Sequence, residues 1–324
     1  MNTRPGTRLI IFAAAILLMA SSTALAACKG KTEQPPAPSS AELSQTMVPN
    51  VPLDIYVYAR QESPTTIPGA MLSLPQDVTV DSLAVWGTSA SDNFAVGLGL
   101  VLTSESAASS LYGGIATSEN VWKKLSGKTI YLVQGYGQAA ESLKKAINSS
   151  NFKRYDDGDG LQAIGALPSG GATRLAVAAI AKASPALIKL VTQGSQGSDT
   201  ANMVLKLVNL KLVAAGLYSP QQIDIVKLVA ALRDANSIQD LDLGVLLLVR
   251  SGLPGLVVGP AVGQFLGQYH FAETKVGDIT LYKGALTAQG VSLPVMVRIK
   301  GSDIYAALSG KESYAQTLIT SISQ

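Results

Sequence analysis

The sequence predicts an α+β fold, a mixed or antiparallel sheet packed by helices, and three observations predict it. Short apolar runs of strand length recur, each followed by a small or polar cap and then by apolar residues at helical spacing. The late runs are joined by glycine turns of hairpin type, which favours antiparallel pairing. The strand–helix units do not alternate regularly enough for a doubly wound parallel sheet. Composition agrees. With 324 residues, 47% of them hydrophobic and 15% charged, the chain can bury a large core and is not disordered over most of its length. One cysteine excludes a disulfide framework, and one histidine disfavours His-based catalysis and multi-His metal sites.

Residues 1–27 read as a secretory leader. Arg4 and Arg8 form the basic start, and Leu9–Ala20 is an apolar stretch of about 12 residues, too short for a spanning helix. It ends in Leu25-Ala26-Ala27-Cys28. This run resembles the lipobox of bacterial lipoprotein precursors: Leu three before the Cys, two small residues, then the Cys. The resemblance implies that the Cys28 sulfur receives diacylglycerol. A dedicated peptidase that recognises Leu25, Ala26 and Ala27 then cuts before it. A thiolate is the nucleophile this thioether needs, and two acyl chains give stable anchoring where one is marginal. The expected partner is therefore a lipid bilayer, reached through acylated Cys28. The expected location is the cell membrane or outer membrane, on the extracytoplasmic side.

Residues 28–50, rich in Pro, Ser and polar groups, read as the lipidated N-terminus and a flexible tether. Taking Arg4 and Arg8 from the 25 basic residues leaves a balance of about +1 against 22 acidic ones. That field is too weak for a nucleic-acid partner. No segment past residue 28 reaches about 18 uncharged apolar residues, so the body reads as water-soluble.

The elements follow in order. Phe94–Leu102 leads through Thr103-Ser104-Glu105 into a helix carrying Ala107, Ala108 and Leu111. Thr129–Val133 leads through Gly135-Tyr136-Gly137 into Ala140, Leu143 and Ile147. Leu175–Ala181 leads through Ser184-Pro185, an N-cap with Pro at the first helical position, into Leu187, Ile188 and Val191. A helix capped by Asp199 or Thr200, apolar nearly all round through Val204, Leu207, Leu212 and Val213, is expected to end at Gly216. Ser219-Pro220-Gln221-Gln222 is a capping box for an amphipathic helix through Ile223, Val226 and Val229. Leu241–Val249 is a strand before a Gly/Pro-interrupted segment at Leu253–Leu266. Ile279–Tyr282, Leu293–Ile299 and Ile304–Leu308 are strands of hairpins, and the last leads into Ala315, Leu318 and Ile322.

Two units look like copies. Gly127-Lys128-Thr129-Ile130-Tyr131 matches Gly301-Ser302-Asp303-Ile304-Tyr305, and Ala140, Leu143, Ile147 match Ala315, Leu318, Ile322 at the same spacing. The reading is an internal duplication with halves at 51–168 and 169–324. The repeated strand, turn and small-residue helix is faintly similar to exported bacterial domains without an assigned activity, so the resemblance implies none.

Candidate chemistry is sparse. Gly135 and Gly137 open a helix after a strand, with Asp156 about 20 residues on, as in a dinucleotide fingerprint. The second copy lacks these glycines, so the run reads as a glycine-rich turn and no cofactor is expected. Asp156, Asp157 and Asp159 resemble part of a calcium loop, but with Gly160 at the sixth place Tyr155 and Ala166 fall at the two end-ligand positions. An acidic surface turn is the reading, with Asp157 and Asp159 the only metal candidates. His270 reads as a strand or loop residue. Tyr56, Tyr58, Tyr131, Tyr282 and Tyr305 sit in strands, either packed in the core or forming a ligand platform.

No nucleophile elbow, P-loop or zinc motif occurs. The expected role is therefore non-catalytic binding or assembly with an unknown protein or ligand. One alternative is a carrier or sensor of an apolar ligand held between the helix at 203–215 and the sheet. The other is a hydrolase using an Asp/Glu/Ser site, revived if Asp156, Asp157, Asp159, Glu273 and Asp278 converge.

Overall fold

The computed structural model describes residues 38–67, 78–90, 93–115, 121–170, 175–185, 209–219, 243–288 and 291–323. The anchor residues Leu25, Ala26, Ala27 and Cys28 lie outside them, as do Leu187, Ile188 and Val191 of one expected helix, the part before residue 209 of the helix expected to end at Gly216, and Ile223, Val226 and Val229 of the third.

The fold is α+β, built on one antiparallel sheet. The strands are β2 (Ile55–Ile67), β3 (Val78–Ala90), β4 (Asn93–Leu102), β5 (Val121–Ser126), β6 (Thr129–Gly135), β8 (Leu175–Lys182), β9 (Leu210–Tyr218), β10 (Gly244–Ser251), β11 (Ala272–Val276), β12 (Ile279–Ala288), β13 (Val291–Lys300) and β14 (Asp303–Ser309). Their order across the sheet is β11-β12-β13-β14-β10-β9-β8-β2-β3-β4-β6-β5. Two wings meet where β2 pairs with β8. From that seam the first wing runs β2-β3-β4-β6-β5 and the second β8-β9-β10-β14-β13, extended by β12 and β11.

Hairpin turns at Gly127 and Gly301 both need left-handed backbone, with φ +54° and +59°, which glycine supplies without a Cβ clash. Both edge strands carry charge, Lys123 and Lys124 on β5 and Glu273 and Lys275 on β11, which discourages edge-to-edge association.

Helices cover both faces. On one face lie α3 (Gly137–Asn148), α4 (Gly158–Gly165) and α6 (Glu312–Thr320), and on the other α2 (Glu105–Gly114) and α5 (Gly255–Gln268). Ser104 Oγ caps α2 by accepting from Ala107 N at 3.2 Å. α3 ends in a Schellman motif: Ser150 has φ +52°, and the amides of Ser150 and Asn151 donate to Ile147 and Ala146. Ala140, Leu143 and Ile147 are buried, as are Ala315, Leu318 and Ile322 on and just beyond α6. No helix among the described residues is long and apolar enough to cross a membrane.

Two expectations are corrected. Residues 210–218 form strand β9, not the last turns of a helix. The run is apolar on both sides: Leu212, Ala214, Gly216 and Tyr218 are buried, while Val213, Ala215 and Leu217 on the other face are half-buried, with Ala215 and Leu217 beside an aliphatic cluster of neighbouring strands. The tether expected over 28–50 ends earlier. Ser40–Leu43 form α1, capped by Ser39 Oγ, and Met47–Pro49 form β1, paired antiparallel with β7 (Phe152–Arg154). Leu43 and Val48, two apolar residues of that polar stretch, are buried at 0% and 1% exposure.

Candidate functional site

A cavity of about 480 Å³ opens on the helix-α3 face of the first wing. Its floor comes from four adjacent strands, because alternate residues of a strand share one face. β2 supplies Tyr56 and Tyr58, β3 Ser82, Ala84 and Trp86, β4 Gly99 and Val101, and β6 Thr129 and Tyr131. Thr46 and Met47 of the α1–β1 segment form one wall, and Ser150 and Phe152 after α3 the other. The volume falls within the range of small-molecule sites, about 300–1,000 Å³.

The aromatic floor is set by two glycines. The Trp86 indole lies across Gly97 and Gly99 of β4. A Cβ at Gly99 would stand 2.5 Å from the ring, and one at Gly97 3.1 Å. Tyr131 stacks beside Trp86 at 6.3 Å between centroids and 26° between planes, and Phe152 continues the row at 5.7 Å from Tyr131. Trp86 is 3% exposed, and its Nε1 is a buried donor with no partner among the described residues.

Behind the floor, Tyr56 sits 4.4 Å from Tyr155. The Thr46 hydroxyl donates to Leu43 O at 2.6 Å, so Tyr56 Oη, 2.6 Å from Thr46 Oγ1, is the donor of that pair. Tyr155 Oη donates to Asp157 Oδ2 at 3.1 Å. Burial pushes the Tyr56, Tyr131 and Tyr155 phenols up from their ordinary value of 10.0, and at Tyr155 the Asp157 carboxylate adds to it. All three stay neutral at physiological pH. The described lining thus carries rings, hydroxyls and methyls, and no carboxylate, amine or guanidinium.

At the matching positions of the second wing the space is filled. Strand register places Leu248 where the first wing has Gly99, and Leu212 where it has Ser82. The Val101–Thr129 pair has its counterpart in Arg250–Asp303. Arg250 grips Asp303 with two bonds, Nε to Oδ1 at 3.0 Å and Nη2 to Oδ2 at 3.1 Å, and Nη1 donates to Gln162 of α4 at 2.9 Å. The Asp303 hydrogen bond raises the Arg250 pKa further above its ordinary value. Leu212, Leu248 and Tyr305 are all buried.

The residues singled out in the sequence fall elsewhere. Gly135 and Gly137 are packing glycines: a Cβ at Gly135 would stand 2.8 Å from Ala95, and one at Gly137 2.7 Å from the Asn93 side chain. Both have positive φ, and β6 runs antiparallel to its neighbours β4 and β5, unlike the parallel unit of the dinucleotide fold. Asp156 is exposed and pairs with Lys153 at 2.9 Å, whose hydrogen bond lowers its pKa.

Asp157 and Asp159 lie at the start of α4, where the helix dipole favours negative charge. Asp157 also pairs with Lys182 of β8 at 3.1 Å. Glu273 and Asp278 belong to β11 and its turn at the far edge of the sheet, so the five acids do not converge. Among the described residues no group of three or more His, Cys, Asp or Glu could hold a metal ion. His270 is the left-handed residue, φ +63°, of the Schellman motif that ends α5, and it is exposed.

Of the five strand tyrosines, Tyr56, Tyr58 and Tyr131 meet in the cavity. Trp86 and Phe152 were not anticipated. The signal for Trp86 was Gly97-x-Gly99 inside an apolar strand, since interior strand glycines mark close approach of a neighbour.

No family model matches the chain, and neither does any curated protein. One solved structure, described as "Structure of crystal form I of TP0453", is similar at 12% identity and a TM-score of 0.34, covering 85% of this chain and 96% of that chain. A likeness of that strength carries no argument about either protein.

Proposed function

We propose that the chain is a lipid-anchored protein of the bacterial cell envelope, held on the extracytoplasmic side by acylated Cys28, whose folded body binds a ligand rather than catalysing a reaction. The anchor rests on Leu25-Ala26-Ala27-Cys28, which places the only cysteine where lipidation needs it. The binding role rests on one observation. The first wing has an aromatic groove at Ser82, Val101 and Thr129, register positions that the second wing fills with Leu212 and the Arg250–Asp303 ion pair. Ordered β1 and β7 wall this groove, so residues shortly after the tether help to form it.

The two wings are proposed as products of an internal duplication. The shared order of five strands from the seam supports this, as do the matched turns at Gly127 and Gly301 and the buried triplets of α3 and α6.

A second reading, carriage of an apolar ligand, is favoured by the opposite face of the sheet. Val57, Ala59, Leu83, Val85, Val177 and Ala179 form an aliphatic cluster there, and every described member comes from the strands themselves. The helix first expected to cover such a ligand cannot be the segment 210–215, which is strand β9.

Cys28→Ser expressed in a bacterial host with labelled palmitate tests the anchor. Loss of label and of membrane fractionation is expected, and unchanged labelling refutes it. Lipid extraction and mass spectrometry of the purified protein test the carrier reading, which a lipid-free protein defeats.

A further inference from the structure

We infer that the groove of the first wing takes a neutral saccharide, an inference that rests on the binding reading above. The lining offers rings for the C–H face of a pyranose: half-buried Tyr131 and Phe152 lie 5.7 Å apart, and the buried Trp86 indole backs Tyr131 at 6.3 Å. Around them Ser82 and Thr129 supply hydroxyls for the edge of the sugar. Rings with a polar surround suit a ligand that is apolar on its faces and wet at its edges.

The alternatives fit less well. A charged ligand would meet no counter-charge in the described lining. An acyl chain would find its match on the other face of the sheet, where the cluster is aliphatic and carries a single ring, Phe94, at its margin. An extended peptide needs a free strand edge, whereas β2, β3, β4 and β6 are each paired on both sides.

The test uses the full-length protein in detergent with Trp122→Phe, which leaves Trp86 as the sole tryptophan reporter. Chitotriose, maltotriose and cellotriose are titrated against Trp86 emission. The uncharged dye N-phenyl-1-naphthylamine serves as a parallel probe of the groove. At least one sugar is expected to give a saturable change, weakened about tenfold or more by Tyr131→Ala, which removes a stacking ring. Ser82→Leu, which introduces the leucine of the second wing, should abolish it without lowering the melting temperature. That variant keeps the test decisive if Tyr131→Ala fails to fold. Dye binding that Ser82→Leu blocks, with no response to any sugar, overturns the saccharide inference and leaves the binding reading standing. Sugar binding that Ser82→Leu does not affect also overturns it, because the sugar then sits elsewhere. If neither probe binds, both readings fall.

Discussion

The two wings share a strand order yet treat the same register positions in opposite ways. Where Leu248 and Leu212 fill the second wing, the first has Gly99 and Ser82. Where Arg250 and Asp303 tie the second wing to α4 through Gln162, the first has the uncharged pair Val101 and Thr129. The exchange runs both ways, because the first wing has Trp86 over Gly97 and Gly99 where the second has Gly216 beside Leu246 and Leu248. The groove lies where Ser82 and Thr129 stand in place of Leu212 and Asp303.

The comparison can be broken most severely at the matched helix positions. Leu318 is fully buried against Gly244, and Leu143 is fully buried against Gly97. Leu318→Ala should cost about 3–5 kcal/mol and Leu143→Ala about 2–4, because the first wing can relax toward its open space. Urea unfolding of the two variants measures the ordering, and equal costs would argue that the wings are packed alike.

Next in size is Arg250→Ala. The Arg250 and Asp303 side chains are 19% and 18% exposed, so removing the guanidinium leaves a half-buried carboxylate without its partner. A loss of about 1–3 kcal/mol is expected. Asp303→Asn, which keeps one acceptor, should lose less, as thermal melts will show. Ser82→Leu tests the reverse direction. Filling the groove should stabilise the first wing by about 0.5–2 kcal/mol, read as a raised melting temperature.

The smallest effect belongs to Tyr218→Phe. Tyr218 is fully buried in the second wing, its hydroxyl has no partner among the described residues, and burial pushes its pKa up. Removing that hydroxyl should be neutral or stabilising by up to about 1 kcal/mol. The sign with pH follows. A phenol whose folded pKa exceeds its unfolded value contributes fully below pH 10 and loses that contribution as pH rises toward the folded value. Each such tyrosine adds a fall of about 1.4 kcal/mol per pH unit above 10. Denaturation curves of Tyr218→Phe should have a slope shallower by one such contribution.

The sequence made the strand-to-helix units legible because capping and periodicity are local. Ser104, the turn glycines Gly127 and Gly301, and the buried triplets of α3 and α6 all stand where their patterns place them. β9 was misread because an inner strand, apolar on both sides, looks like a buried helix when its partners are unknown. Residues 40–49 were misread because two apolar side chains, Leu43 and Val48, decide their packing against a polar background. The groove was half visible. Its tyrosines could be placed on strands, but their convergence depends on the order β2-β3-β4-β6, which no local pattern encodes.

The most direct test is a crystal structure of the protein soaked with the sugar that best shifts Trp86 emission. Density for a pyranose against Tyr131 and Phe152 in the first wing, with none against Leu248 and Tyr305 in the second, is the predicted result. Density for the sugar in the second wing, or outside the groove lined by Ser82, Thr129 and Tyr131, would contradict the account.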